Sequence, residues 1–555
     1  MEVACKVNHP FIKRNAGFVF PACALTKAHP SWYASLTFCI KTQISQTIHS
    51  DKGDVTMQNS VTRLKDYMRK FQQYRTATAL LNWDLATMTP EKGVDSKAEA
   101  IGFYSTESFR LATSREYGAL LEELSQPEQF EKLDAAMKVT VRRELRDYNR
   151  FLRVPEEFYT EYVTLQARSQ KAWESAKKAN DYSVFAPYLD KIISMTKQYV
   201  HYMEPDKEPY EVLLDMYEEG IDSATIDRIF DELKEGLAPL LDKINHADQP
   251  DLSALKGTYD ITAQKKVQDM LLSYIGFDFT QGTTAESEHP FTTEIGSGDV
   301  RVTNHFREDD PITAMFSAIH EGGHAIFGQN IDPAYENTAV MQVNLMGLHE
   351  SQSRFYENIL GRNPSFWMPI YEKLGELLPQ MKDVPFDTFC RAVNYVQPSL
   401  IRTDADEVTY CLHIILRYEI ERAIFNDEVT TEELPKLWND KMEELLGVRP
   451  ETDAEGILQD VHWSDGSFGY FPSYLLGSVY DGMFLRQIEK ELGSLDDILS
   501  EGRILQITKW LGENIHRYGS LYTSEEVIER ICGEELCAKP LLDYFNEKYS
   551  KIYSL

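Results

Sequence analysis

Residues 310–328 hold two histidines four apart, His320 and His324, with Glu321 directly after the first. On a helix such positions share one face, one turn apart. Two neutral imidazoles placed this way can hold one Zn²⁺ at about 2.0–2.1 Å per bond. Glu321 then faces the space beside the metal, where a carboxylate serves as general base for water that the metal activates. The bland alternative is a pair of core histidines bonded to backbone carbonyls. Two features weigh against it. His289, His305, His320, His324 and His349 crowd into one short part of a chain with 13 histidines. Gly322 and Gly323 also stand in mid-helix, at a cost of about 1 kcal/mol each relative to alanine. A helix that accepts them needs close approach of a neighbour, such as another backbone.

A catalytic zinc takes three protein ligands and keeps one position open. Glu350 is the third ligand expected here, ahead of Asp332 and Glu336, which sit in a D-P-A-Y-E turn that holds geometry less firmly. The competing role for Glu350 is an intrahelical pair with Arg354, worth a few tenths of a kcal/mol.

The elements that must carry these residues follow from spacing. Asp310 is a suitable N-cap and Pro311 a suitable first residue for the His320 helix. Ile312, Met315, Phe316, Ile319, Ile326 and Phe327 recur at helical intervals, and Gly328 is a stop signal. A second helix is expected over Leu345–Leu360, with Glu350, Arg354 and Glu357 on one face. Residues 289–306 read as a β-hairpin: Val300 and Val302 alternate with polar neighbours around a G-S-G turn. A sheet edge beside a metal can hold an extended peptide, although an ordinary surface hairpin has the same pattern. Residues 57–275 read as successive helices, among them Leu64–Leu81, Ser96–Ala112, Gln129–Phe151, Pro155–Ala179 and Ser223–Ile244. Helical pattern resumes after the hairpin and runs to the end. The expected fold is mostly α.

Three later stretches could complete the site. In Y-V-Q-P-S-L-I-R-T-D-A-D-E, residues 395–407, Thr403 and Asp406 have capping-box spacing. That puts Arg402 at a helix N-terminus, an anion site suited to a peptide carboxylate unless Asp404 and Asp406 already satisfy it. His462 in G-I-L-Q-D-V-H-W and Tyr470 in F-G-Y-F-P-S-Y could steady an oxyanion, with Tyr474 beside the substrate. Aromatic core packing is the plain alternative for that run. Arg301, on the expected hairpin, is the second candidate for the substrate carboxylate.

Composition narrows the function. The net charge of −31 disfavours nucleic acid and anionic membrane. No apolar run approaches the roughly 20 residues of a membrane span. Seven cysteines at no zinc-finger spacing fit a reducing compartment. Residues 1–56 are basic and rich in Ser and Thr where the remainder is acidic. They are read as a transit-like or misassigned-start extension, disordered and outside a single domain of 57–555. Cytoplasmic location is expected, with organellar import if the extension is a true transit peptide.

Taken in order, L-L-N-W-D near Trp83, H-P-F-T at 289–292, D-V-R-V-T at 299–303, H-E-G-G-H at 320–324, H-E-S-Q at 349–352, I-R-T-D-A-D at 401–406, G-I-L-Q-D-V-H-W at 456–463 and F-G-Y-F-P-S-Y at 468–474 resemble the carboxypeptidase Taq family of metallopeptidases. The resemblance covers about 57–555. It implies a large helical fold with a deep cleft, like the neurolysin and angiotensin-converting enzyme groups. It also implies a homodimer, one zinc or cobalt per subunit, and release of single C-terminal residues from peptides with broad specificity and C-terminal proline disfavoured. The chain departs from the pattern in residues 1–56 and in M-T-P at 88–90. An oligoendopeptidase or peptidyl-dipeptidase of the same fold is the alternative activity, and a non-catalytic peptide-binding scaffold the alternative class.

Overall fold

Carboxylate caps start many of the helices. Asp134, Asp222, Asp260 and Asp310 each accept a backbone N–H near the start of the helix that follows. In the computed structural model the backbone is described from Ile44 to Leu555 except Asn344, and the side chains from Met57. The extension expected over 1–56 lies outside the residues described in full. Asn59–Leu555 form one unit. It is mostly α, with one three-stranded sheet. Among the described residues no helix is long and apolar enough to cross a membrane.

The expected helices appear as Ile44–Thr87, Val94–Ala112, Ala135–Arg153, Glu156–Ala179 and Ser223–His246. The run expected over Gln129–Phe151 is broken. Asp134 accepts from Met137 N at 2.8 Å and starts a new helix, leaving Pro127–Phe130 as a separate short turn. The hairpin consists of β2 (Thr292–Gly296) antiparallel to β3 (Asp299–Asn304), turned through Gly298 at φ 75°. A strand that the pattern did not reveal, β1 (Gly282–Glu286), pairs parallel to β3 on its other side. The order is β1-β3-β2, so β2 is an edge. Val300 and Val302 are buried.

The His320 helix spans Pro311–Gln329, one residue past the expected glycine stop. It packs on the Glu350 helix, Met346–Arg354, which continues as a π-helical segment over Phe355–Gly361. The close approach expected at the paired glycines is real and has two kinds of neighbour. A Cβ on Gly323 would lie 2.5 Å from the Gln352 carbonyl oxygen and 2.8 Å from Ser353 Cα. One on Gly322 would meet only side-chain tips, Ile275 Cδ1 at 2.6 Å and Leu272 Cδ2 at 2.7 Å. From the other side the helix Phe471–Leu492 brings Gly477 against the Glu350 helix, where a Cβ would lie 2.9 Å from Gly347 O and Ser351 N. The Glu350 helix is therefore clamped between two backbones. Its start is fixed too: Met346 N donates to Tyr217 O at 3.2 Å, and the buried Glu218 carboxylate accepts from Gly347 N.

These contacts separate the two glycines experimentally. Gly323→Ala forces two backbones apart and should cost about 1–3 kcal/mol or more of stability. Gly322→Ala meets movable side chains and gains about 1 kcal/mol of helix propensity, so it should stay near wild type. Denaturant unfolding of both variants is the measurement, and equal stability would remove the backbone contact as the reason for Gly323.

Candidate active site

The tight packing of those two helices brings three ligand atoms together. Nε2 of His320 lies 3.9 Å, and Nε2 of His324 3.6 Å, from Oε2 of Glu350. The ligand atoms of all three lie within 4.8 Å of one another. Two imidazole nitrogens and one carboxylate oxygen, converging with a side left open, suit a divalent cation. Neither alternative carboxylate joins them. Asp332 accepts from Ala334 N at 2.9 Å in its own turn, and Glu336 lines a separate opening.

Each ligand is held from behind. His320 Nδ1 is 2.8 Å from Glu357 Oε2, and Arg362 Nη2 sits 3.3 Å from the other Glu357 oxygen. His324 Nδ1 is 2.5 Å from His349 Nδ1, and His349 Nε2 is 3.6 Å from Glu294 Oε1. With both Nδ1 atoms engaged, both Nε2 atoms face inward, the arrangement that fixes ring orientation at metal sites. Arg354 Nη1 lies 3.5 Å from Glu350 Oε1. The intrahelical pair with Arg354 is therefore present on one oxygen of Glu350, while the other faces the two histidines. Glu357 and Arg354 had been placed on the Glu350 face by spacing, but the part played by Glu357 had no signal beyond that.

Electrostatics sets the two histidines apart. Burial lowers His320, but the bond to Glu357 and the fields of Glu350 and Glu357 outweigh it and hold it up at about 9. Burial and the neighbouring His349 and His320 hold His324 down at about 4, against the pull of Glu350. Glu350 and Glu357 resist burial and sit at about 2 because the histidines and Arg354 lie against them. Glu321 is buried, which raises its pKa, while His320 and Thr292 oppose the rise. The Thr292 hydroxyl on β2 is 2.7 Å from Glu321 Oε2.

A second cluster contains Arg402, His462, Tyr470 and Tyr474. Arg402 is not at the start of a helix, contrary to expectation. It belongs to a single turn, Arg402–Asp404, and the following helix begins at Thr409. Asp406, rather than Thr403, caps that helix, accepting from Val408 N at 2.9 Å and Thr409 N at 3.0 Å. The partner of Arg402 is neither Asp404 nor Asp406 but Asp460, whose Oδ1 accepts from Nε at 3.0 Å and Nη2 at 2.8 Å. Asp460 Oδ2 accepts from Arg417 Nε at 2.7 Å, so one carboxylate serves two buried arginines. Asp460 and Arg417 were missed. Asp460 lies two residues before His462, and no local spacing links it to either arginine.

The Arg402 guanidinium lies over the Tyr474 and Phe471 rings at 5.3 and 5.7 Å, and its Nη1 donates to Tyr410 OH at 3.1 Å. His462 Nε2 is 3.1 Å from Tyr474 OH. Burial, with Arg402 and Arg417 nearby, holds His462 at about 4 against the pull of Asp460, so its ring is neutral. Tyr470 is raised by burial and then by Glu350, which ties this cluster to the metal group. Arg301 stands apart on β3. Asp299 accepts from its Nε and Nη2, both at 2.8 Å, and it lies over Trp83.

The sequence pattern of the carboxypeptidase Taq (M32) metallopeptidases matches residues 63–549. A Bacillus subtilis protein named carboxypeptidase 1 is 43% identical over 492 residues, 88% of this chain and 98% of its own. The thermostable carboxypeptidase 1 of Thermus thermophilus is 35% identical over 509 residues, 90% of this chain and 100% of its own. The crystal structure of the M32 carboxypeptidase from Deinococcus radiodurans R1 superposes with a TM-score of 0.86 at 32% identity, covering 90% of this chain and 100% of that one. Pattern, relatives and fold agree across nearly all of the described unit, and the chain accordingly belongs to the carboxypeptidase Taq (M32) family and is a metallocarboxypeptidase.

Proposed function

We propose that this enzyme releases single amino acids from the C-termini of peptides, using one Zn²⁺ per subunit held by His320, His324 and Glu350, with Co²⁺ also accepted. The donor set of two imidazoles and one carboxylate suits either ion. When bound, the cation supplies Lewis-acid polarisation and lowers the pKa of water. Glu321 accepts a proton from the attacking water and returns it to the leaving amine. His462 or Tyr470 donates to the oxyanion of the substrate, and Tyr474 helps to seat its last residue. Specificity is broad, with C-terminal proline poor because its tertiary amide carries no N–H. Family resemblance supports a homodimer. Together with the free Cys390, Cys411, Cys532 and Cys537, it supports a cytoplasmic setting.

One observation carries the exopeptidase reading: Arg402 and Arg417 are both buried and share the single carboxylate of Asp460. That leaves positive charge beside the catalytic cluster, and a free peptide carboxylate would balance it. Three of the five N–H donors of Arg402 are used, and the rest remain for substrate. Arg301, already paired bidentately, is the weaker candidate.

The direct test is mass spectrometry of a mixed peptide pool. Metal-loaded enzyme should give ladders of single C-terminal losses, and Glu321→Gln should slow them about 10²–10⁴-fold while keeping the metal. Internal cuts, or cleavage of C-terminally amidated peptides, would favour the endopeptidase alternative. Arg402→Ala should lower kcat/KM on free-acid peptides roughly 30-fold to several thousand-fold, corresponding to about 2–5 kcal/mol. Metal content should be unchanged and Arg402→Lys should recover only part. Normal cleavage by Arg402→Ala would pass the role to Arg301. Metal uptake gives a separate reading. His320 at about 9 is protonated at pH 7, whereas His324 at about 4 is already neutral. Binding at pH 7 should therefore expel the proton carried by His320, about one per site, and that contribution should vanish well above pH 9. Calorimetry in buffers of different ionisation enthalpy measures it; no release at pH 7 would contradict the charge assigned to His320.

A further inference from the structure

Beside β2 a second opening, about 270 Å³, lies between the first described helix and the sheet. Its walls include Gln72 and Arg75 from that helix, Thr293 and Glu294 from β2, and Glu336. It meets the metal group at two points. Thr292, which bonds Glu321, and His349, which bonds His324, both line it. None of Arg402, Tyr410, His462, Tyr470 and Tyr474 does.

Arg75 is unlike the other arginines of the interior. Arg143 pairs with Glu219 at 2.7 Å, Arg150 with Asp215 at 2.6 Å, and Arg402 and Arg417 with Asp460. Arg75 is half-buried, and its guanidinium makes no hydrogen bond or ion pair with any described residue. Two carboxylates act on it at longer range, and each is engaged elsewhere. Glu144 accepts from the Tyr117 hydroxyl at 2.6 Å, and Glu294 faces His349 at 3.6 Å. Burial outweighs both fields and pulls the guanidinium below its ordinary value. Arginines drawn out of water are normally paired. One left unpaired in a cleft has its planar fork available for a carboxylate from outside the chain.

We propose that this opening receives the substrate residues that precede the scissile bond, and that Arg75 there selects an acidic side chain, aspartate or glutamate. The inference rests on the carboxypeptidase reading. With the terminal carboxylate at Arg402, the upstream peptide leaves past Glu321 and Thr292. It then runs along β2, an edge strand able to pair with an extended chain. Thr76 already binds Ile295 O at 2.7 Å, which fixes the first described helix against that edge. Glu294 and Glu336 line the same opening. They confine the preference to the one substrate position that reaches Arg75, and acidic residues at other positions gain nothing.

The test uses the metal-loaded full chain and free-acid hexapeptides with one fixed C-terminal residue. Glu, Gln or Lys is moved through the positions upstream of the scissile bond. Wild type should show one position at which Glu exceeds Lys in kcat/KM by about tenfold to a hundredfold, the range of a charge-assisted hydrogen bond. Arg75→Glu should invert the order at that position alone, and Arg75→Lys should keep its sign. If wild type trims the neutral peptides one residue at a time but no position prefers Glu, or if the preference survives Arg75→Glu, the subsite is refuted and the carboxypeptidase reading stands. Equal losses on Glu, Gln and Lys peptides in Arg75→Gln would place the terminal carboxylate on Arg75 and overturn the side-chain subsite. Failure of wild type to trim any peptide from its C-terminus would sink both readings together.

Discussion

Two helix backbones touch at Gly323, and the catalytic geometry depends on that contact. A side chain of any size there would push the Gln352 carbonyl and Ser353 away. His320 and His324 come from one helix and Glu350 from the other, so the separation of the helices is also the separation of the ligands. The usual distance between packed helices is about 8–10 Å, and glycine permits the near end of that range. Gly477 presses the Glu350 helix from behind, while Tyr217 and Glu218 fix its start. The donors are thus positioned by packed secondary structure rather than by loops.

Charge is organised around that frame in two halves. On the metal side, Glu350 and Glu357 offset His320 and Arg354, and Arg362 braces Glu357. On the Arg402 side, Asp460 is outnumbered by Arg402 and Arg417. Buried charges are tolerable when paired and costly when not. On the proposed reading a cation replaces the proton on His320 in the first half, and a peptide carboxylate balances the second. The two halves meet at the aromatic wall of Tyr410, Tyr470 and Tyr474.

Much of this was legible in the chain, and the reasons are local. An aspartate cap and apolar spacing marked the Pro311–Gln329 helix, and alternation of Val300 and Val302 marked the hairpin. Two adjacent glycines in a helix signalled a close neighbour, because their helix cost needs a compensating contact. What was hidden depended on tertiary pairing. β1 reads G-T-T-A-E, with no apolar alternation, and owes its strand to pairing with β3. Thr403 and Asp406 had the spacing of a capping box, yet Asp406 itself caps the later helix, and this moved Arg402 off the helix end. Asp460 finds its two arginines 43 and 58 residues away along the chain. Nothing in local spacing reports such a bond.

The π-helical segment Phe355–Gly361 places a different kind of constraint on the gene. Glu357 lies inside it and reaches His320 from there. A π-turn is an α-helix carrying an extra residue. Removal of one residue between Arg354 and Glu357 would let the segment relax to an ordinary helix and turn Glu357 from the angle at which it meets His320. Many substitutions in this stretch leave its register intact, whereas a deletion of a single codon does not. Length, more than residue identity, is the inherited quantity in these seven residues.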